Sequence, residues 1–341
     1  MTRTFAKLAG KPQKIKSAKL ARTSIRVHYY NRPPWIPEDV FSGCNNKCHL
    51  TMGDGDSYTG SAVVVFHIPY VIQKYIQKRM GQIWVFHSLE PPVMRWSKSL
   101  NWKNVFNWTI SYRRDADIHY PYGTFNAKKY QGDLEKQSNK LYKKWQNKPK
   151  NIVWMVSHCN TSGQRSLYVK ELKKVINVDV YGKCGIQNQC PRIKTTECLK
   201  PYKFYLSFES KLCEDYLTEK TFKVYESNIM TLPIVRSGSN LSMFLPPGSY
   251  IDTSTFNNKR NLVGYIKSLS KAKERFKKYI QWRKHYKLNA HNKHKIAFCE
   301  LCRRLHSKDV HKYQRLYSDI GGWLRGDNVK QNYCREANDI H

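Results

Sequence analysis

Residues 204–220 read FYLSFESKLCEDYLTEK. The first five, Phe204-Tyr205-Leu206-Ser207-Phe208, alternate large apolar with small or aromatic side chains, the pattern of a buried strand. A short polar loop carrying Cys213 follows. Thr218 then stands ahead of Glu219-Lys220-Thr221-Phe222, and Phe222, Tyr225 and Ile229 recur at helical spacing, with Thr218 as the N-cap. A strand therefore ends, a loop crosses its carboxyl end and a helix begins. Open α/β sheets bind ligands at this place, and a helix N-terminus attracts phosphate through its unpaired N–H groups. Lys220 adds a full positive charge, and Glu219 is placed to accept hydrogen bonds from sugar hydroxyls. A solvated surface Glu-Lys pair has the same sequence, and these residues alone leave both readings open.

The rest of the chain repeats the β-α-β theme twice. In the first half, Ser24–Tyr30 is strand-like, Asn31-Arg32-Pro33-Pro34-Trp35 breaks it, and AVVVFH (62–67) and QIWVFH (82–87) read as buried parallel strands. The helix read between them spans Tyr70–Met80 and stops at Gly81. In the second half, strands over Ile152–Ser157 and Val178–Tyr181 flank a helix over Gly163–Ile176, and Thr231–Val235 is a further strand. No GxGxxG accompanies them, so a dinucleotide reading is unsupported. Leu262–Leu269 and Lys271–Trp282 read as basic helices. The expected fold class is α/β with two Rossmann-like domains: a basic tail over 1–24, a first domain over 25–127, a Lys-rich linker without core pattern over 128–150, a second domain over 151–290, and a C-terminal segment over 291–341 carrying Cys299-Glu300-Leu301-Cys302.

At the end of the 82–87 strand stands His87-Ser88-Leu89-Glu90-Pro91-Pro92. A carboxylate at a strand's carboxyl end lies where α/β proteins place chemistry. His87 is the rival base, since its unperturbed pKa lies nearer neutrality. Asp54-Gly55-Asp56 and Asp115-Ala116-Asp117 have the look of metal-chelating pairs but are read as non-metal, with Arg113 and Arg114 bracing acids by fork-like pairing.

FYLSFESKLCEDYLTEK, followed by LPIV (232–235) and FLPPGSYID (244–252), resembles the donor-binding signature of the α1,3-fucosyltransferases, whose members carry FxLxFENSxCxDYVTEK. VFNWTISYRRDADI (105–118) and VSHCNTSGQRSLYVKELKKVINVDVYGKCG (156–185) resemble further blocks of the same family and extend the likeness over nearly the whole chain. The resemblance implies the GT-B arrangement, with two Rossmann-like domains facing across a cleft. It implies inverting transfer of L-fucose from GDP-β-L-fucose to O3 of an N-acetylglucosamine, with Glu90 as catalytic base. Arg165, Tyr216, Glu219, Lys220, Ser157, His158 and Ser210 are the implied donor-binding residues. No metal is required; a divalent ion is at most a stimulant. The LEPP loop and the GKCG segment resemble invertebrate core-fucosylating members, which implies the N-glycan core of a glycoprotein as acceptor. Two positions depart from the family pattern: Ser210 replaces the Asn of FEN, and His158 replaces another Asn. Both give substance to an alternative, an inactive relative that binds GDP-fucose or glycan without transfer.

The composition fits this frame. Sixty Lys and Arg against 25 Asp and Glu give a net charge of +35, which favours anionic partners. Nucleic acid is the generic rival, but no zinc-finger spacing or RNP motif accompanies the charge. Ten cysteines suit an oxidising compartment, and sequons at Asn107, Asn160 and Asn240 agree with it. Pairing within Cys159, Cys184, Cys190, Cys198, Cys213 and Cys334 is not fixed by spacing. The family resemblance points to Cys44 and Cys48 as partners of Cys299 and Cys302. It also implies the Golgi lumen and an N-terminal membrane anchor, and no apolar run long enough to be that anchor occurs in these residues.

Overall fold

The computed structural model describes residues 24–53, 55–68, 76–92, 103–129, 132–186, 190, 195–226, 229–289, 293–308, 310, 315–327 and 333–340. Residues 1–23 of the basic tail, Asp54 and residues 70–75 of the first expected helix lie outside them. Residues 76–80, which that reading also made helical, carry no helix.

The first domain is built on β1 (Ile25–Tyr29), β2 (Cys48–Met52), β3 (Val63–His67), β4 (Ile83–Ser88), β5 (Trp108–Ser111) and β6 (Ile118–His119). They form one parallel sheet ordered β2-β1-β3-β4-β5-β6. Both central strands, VVVFH and IWVFHS, are buried along their whole length. That explains why they read as continuous apolar runs rather than alternating ones: each face of the sheet is covered.

The chain continues through β7 (Thr124–Ala127), α1 (Leu134–Gln146), β8 (Lys150–Met155), α2 (Arg165–Leu172), β9 (Asp179–Tyr181), α3 (Thr195–Leu199), β10 (Tyr202–Phe208) and β11 (Leu212–Cys213). Then come α4 (Glu219–Glu226), β12 (Leu232–Arg236), β13 (Ile251–Asp252), α5 (Lys259–Leu269), α6 (Lys273–Lys278), β14 (Tyr286–Asn289), α7 (Lys293–Leu305), α8 (Ile320–Arg325) and β15 (Cys334–Arg335). The second sheet is parallel, ordered β13-β12-β10-β8-β9, with β10 at its centre.

Two expectations about organisation are corrected. The Lys-rich stretch over 128–150 holds helix α1, whose N-cap Asp133 accepts a bond from the Lys136 amide. Tyr142 and Trp145 are buried, and Trp145 stacks on Phe276 with ring centroids 4.2 Å apart and meets Phe204 edge-on at 5.4 Å. A few apolar residues on one face hold this helix to the second domain while its lysines face water. The C-terminal segment, in turn, is shared. Phe298, Leu301 and Leu305 of α7 enter the first domain's core on one face of its sheet, and Ile320, Trp323 and Leu324 of α8 pack on the other. Ala337 and Ile340 then return to the second domain's core.

All ten cysteines are paired. Cys44–Cys299 and Cys48–Cys302 bind α7 to the first domain, as the family resemblance implied. Cys213–Cys334 joins β11 to β15, Cys159–Cys184 joins the segments after β8 and β9, and Cys190–Cys198 ties Cys190 to α3. The Asn107 sequon is corrected: its side chain is buried, with Oδ1 accepting from the Trp84 amide and from Lys78, so it offers no site for a glycan in the fold. Asn160 and Asn240 are exposed. Among the described residues no helix is long and apolar enough to cross a membrane.

Candidate active site

A cleft of about 530 Å³ opens beyond the carboxyl ends of β8, β9 and β10 and reaches the loop after β4. Glu90 and Tyr122 line it from the first domain; Ser157, His158, Arg165, Ser210, Tyr216, Glu219 and Lys220 line it from the second. All eight residues singled out from the sequence therefore share one cavity.

The loop after β10 dictates the local geometry. Glu209 follows the last strand residue and is wholly buried. Its carboxylate accepts the Thr218 amide at 2.8 Å and the Thr218 hydroxyl at 2.9–3.0 Å. Thr218 Oγ1 in turn accepts from the Lys220 ammonium at 2.9 Å and, at 3.4 Å, from the Lys220 amide as N-cap of α4. The ammonium also lies 3.5 Å from Glu209 and 3.3 Å from Glu219. Glu209 thus organises the opening turn of α4. The sequence reading passed over it, although an acid directly after a buried strand was the available signal.

Arg165 opens α2 and is itself buried. Its guanidinium donates to the carbonyls of Phe208 and His158, each at 3.1 Å, while Nε is buried and finds no partner among the described residues. These bonds tie α2 to the ends of β8 and β10. Gly163, just before α2, donates its amide to Ser210 O at 2.9 Å, so close that a Cβ there would lie 2.8 Å from that oxygen. Gly182, after β9, combines a φ of +95° with an approach to Val156 O that a Cβ would reduce to 2.4 Å. Only glycine fits such a turn.

Glu90 is held from its own domain. Ser88 Oγ accepts the Glu90 amide at 3.3 Å, and the Tyr122 hydroxyl donates to Leu89 O at 2.7 Å. Lys211 from the second domain donates to Pro92 O across the cleft. His87, the rival base, does not line the cleft. It is fully buried in β4, where Nδ1 meets the Tyr29 hydroxyl and, at 3.2 Å, His67.

The charges are arranged in alternation. Burial pushes the Glu90 carboxyl above the ordinary carboxylate range, opposed by Lys220, while its opening to cleft water limits the rise. Burial likewise raises Glu209, against the pull of Lys220. Burial acts to raise Glu219 too, but Lys220 and Lys223 together hold it low. Burial alone would lower Lys220; Glu209 and Glu219 outweigh it and keep the ammonium firmly charged, against the nearby Arg165. Burial lowers Arg165, with Glu209 opposing. Tyr216 is raised well above its usual value by burial and by Glu209 and Glu90, and its hydroxyl bonds Ser210. The two cations that the sequence placed on separate segments thus act on each other within one hollow.

The expected bracing by the arginine pair is present. Arg113 forks onto Asp115 at 2.7–2.8 Å, and Arg114 binds Asp215 of the second domain through both its amide and Nε. Asp117 accepts from Thr109 and from Tyr317. Asp115 and Asp117 are thereby engaged in protein contacts. Among the described residues, the one grouping of metal-type side chains is Cys48, Cys302 and His306, and its two sulfurs are bonded to each other.

The chain matches the family model described as "Glycosyltransferase family 10 (fucosyltransferase) C-term" over residues 145–323, and "Fucosyltransferase, N-terminal" over 23–123. It is 30% identical over 283 residues to alpha-(1,3)-fucosyltransferase C of Drosophila melanogaster, covering 76% of this chain and 64% of that protein. Alpha-(1,3)-fucosyltransferase fut-6 of Caenorhabditis elegans is 30% identical over 294 residues, covering 82% of this chain and 73% of its own length. A crystal structure of an alpha1,3-fucosyltransferase with GDP-fucose superposes with a TM-score of 0.51 at 15% identity, over 78% of this chain and 84% of that one, and shares the GT-B fold. With both domains matched and relatives aligned over three quarters of its length, the chain belongs to glycosyltransferase family 10, the fucosyltransferases.

Proposed function

We propose that the protein is an α1,3-fucosyltransferase that moves L-fucose from GDP-β-L-fucose to O3 of N-acetylglucosamine, with inversion at the anomeric carbon. The observation that carries this reading is the single cleft in which Glu90 of one domain faces Arg165 and Lys220 of the other. Glu90 takes the proton of the acceptor hydroxyl as its oxygen bonds to fucose C1. The bond from C1 to the β-phosphate oxygen breaks, and its electron pair leaves with GDP. Lys220 and the remaining N–H groups of Arg165 stabilise the charge that develops on the diphosphate, in a site already ordered before the substrate arrives. Glu219 and Tyr216 accept and donate hydrogen bonds to sugar hydroxyls, and Ser157, His158 and Ser210 line the same wall. The scheme routes no step through a metal. The names of the matched relatives and the GDP-fucose in the matched crystal structure support the donor.

For the acceptor we propose the innermost N-acetylglucosamine of N-glycans on glycoproteins, on the resemblance of the LEPP and GKCG segments to core-fucosylating members; the Golgi lumen is the matching location. Incubating the pure protein with GDP-fucose and a panel of N-glycans, then weighing the glycans, tests the whole reading. The expected result is a gain of one fucose on core-exposed glycans that is abolished by Glu90→Gln while GDP binding persists. GDP-fucose binding with no glycan gaining mass would instead establish the inactive relative.

A further inference from the structure

On the edge strand of the second sheet, at the opposite end from β9, lies a second, open pocket of about 480 Å³. Its size falls within the range of small-ligand sites. Tyr250, Phe256, Tyr265 and Tyr279 line it together with Asp252 and Thr255. All four rings are half-buried, each packed partly against a core cluster and partly left to the pocket. Phe256 and Tyr265 lie 5.4 Å apart at 55°, and the Tyr265 and Tyr279 hydroxyls share a hydrogen bond of 2.6 Å. Asp252 is anchored through Oδ1, which accepts the Ser254 amide at 2.9 Å; Oδ2 makes no hydrogen bond among the described residues.

The charge of this lining is the informative feature. In a chain with 60 Lys and Arg, no lysine or arginine among the described residues lines the pocket, whose one charged side chain is an acid. An anionic ligand would meet the Asp252 carboxylate within the lining, and the nearest cations stand outside it, on the flanking 271–278 segment. A cationic ligand would find exposed Lys271, Lys273 and Lys278 in the flanking segment and the Arg275 guanidinium already 5.8 Å from the Tyr265 ring. The lining itself, aromatic faces beside a carboxylate and hydroxyls, suits an uncharged, polyhydroxylated ligand. Aromatic faces take the C–H face of a sugar ring, a fixed carboxylate oxygen accepts its hydroxyls, and the tyrosine hydroxyls both donate and accept. We propose that this pocket is a secondary binding site for a neutral hexose or N-acetylhexosamine unit of a glycan, separate from the cleft that holds Glu90 and Lys220. The proposal does not depend on the transfer reaction, so an inactive protein would bind equally well.

A neutral oligomannose-chitobiose oligosaccharide carrying a diazirine tests it, with saturating GDP present to fill the donor side of the cleft. Irradiation should label peptides containing residues 248–256 or 265–279, and excess unlabelled oligosaccharide should suppress the labelling. Tyr250→Ala and, separately, Asp252→Asn should each weaken binding by about three- to tenfold, with thermal melting as the check on folding. Labelling confined to the peptide around Glu90, no labelling at all, or tetramethylammonium competing as well as the sugar would each overturn the proposal. The labelling map needs no variant, so a misfolded substitution leaves the test intact.

Discussion

Replacing Lys220 by alanine separates the structural from the chemical work of the cleft's ammonium. In the wild type it lies 2.9 Å from Thr218 Oγ1 and 3.5 Å from Glu209, which has no exposure to solvent. Its removal leaves a buried carboxylate bonded to Thr218 without its nearest counter-charge, with Arg165 the remaining cation in the hollow. Breaking a buried pair in this way costs about 3–5 kcal/mol; the two Thr218 donors remain, so the lower end, about 3 kcal/mol, applies. At roughly 1–2 °C per kcal/mol for a protein of 341 residues, Tm falls by about 3–6 °C. Turnover falls about 10²–10³-fold through the lost stabilisation of the leaving diphosphate. Adding Glu209→Gln removes the orphaned charge, so the double variant should recover most of the Tm and none of the turnover. The pH dependence follows from Glu209, which burial already holds above the ordinary carboxylate range and which rises further without Lys220. The native state then keeps a proton that the unfolded chain releases. The stability deficit of Lys220→Ala against wild type therefore shrinks as pH falls from 7.5 to 5.5. Scanning fluorimetry across that range, with initial rates at saturating donor, reads all three effects. A Tm loss under 2 °C, a deficit indifferent to pH, or a double variant that regains turnover would refute the reasoning.

Glu90→Gln should lower kcat by about 10²–10⁴-fold with GDP affinity unchanged, and in the wild type kcat/KM should decline on the acid side with a midpoint above 4.5, because burial raises the carboxyl that must be ionised to act. A rate within a few-fold of wild type removes Glu90 from the role of base. The histidine cluster makes a separate prediction: burial holds His67 and His294 at about 4, against 6.5 for the free group, and also pushes His87 well below its ordinary value. Below pH 6.5 the unfolded chain binds protons that the folded one refuses, so stability is complete above 6.5 and drains away towards pH 4; a wild-type Tm that is flat over that window would contradict the burial. Serine substitution of the Cys44–Cys299 and Cys48–Cys302 pairs should cost about 2–5 kcal/mol and accelerate hydrogen exchange over residues 293–305, yet leave GDP affinity within about threefold, since no residue of α7 lines the donor cleft. Weakened GDP binding would show instead that α7 props the cleft.

Local pattern made the strands legible, and the family resemblance singled out the residues that line the cleft. VVVFH and IWVFHS are apolar without a break because both sheet faces are covered, and FYLSF sits at the centre of the second sheet. The turn from β10 to α4 could be read because every participant lies within 17 consecutive residues, 204–220. The role of Glu209 is not legible from the sequence because its partners Thr218 and Lys220 meet it only once the loop folds back over the strand end. Helix α1 was read as linker because Tyr142 and Trp145 are few among many lysines, and their partners, Phe204 and Phe276, lie far along the chain. The return of α7 and α8 to the first domain was invisible for the same reason. Their apolar faces state that they pack, and only the tertiary contacts state against which domain.

That repeated crossing bears directly on the chemistry. The chain passes from the first domain to the second after β7 and goes back at α7. It returns again at β15, where Cys334 is bonded to Cys213 in the loop that carries Tyr216 towards the cleft. Arg114 of the first domain grips Asp215 of that same loop, whose φ of +57° is sustained within this web of contacts. Tyr216 itself meets Tyr112 of the first domain edge-on at 5.1 Å. The loop between β10 and α4 is therefore fastened to both domains, although it belongs to one. The proposed base on the first domain and the proposed cations on the second can act together only if the distance between them is maintained, since misplacement by about 1 Å costs on the order of 10²-fold in rate. Asp215 and the Cys213–Cys334 bond supply that registration, well outside the set of groups that touch the donor.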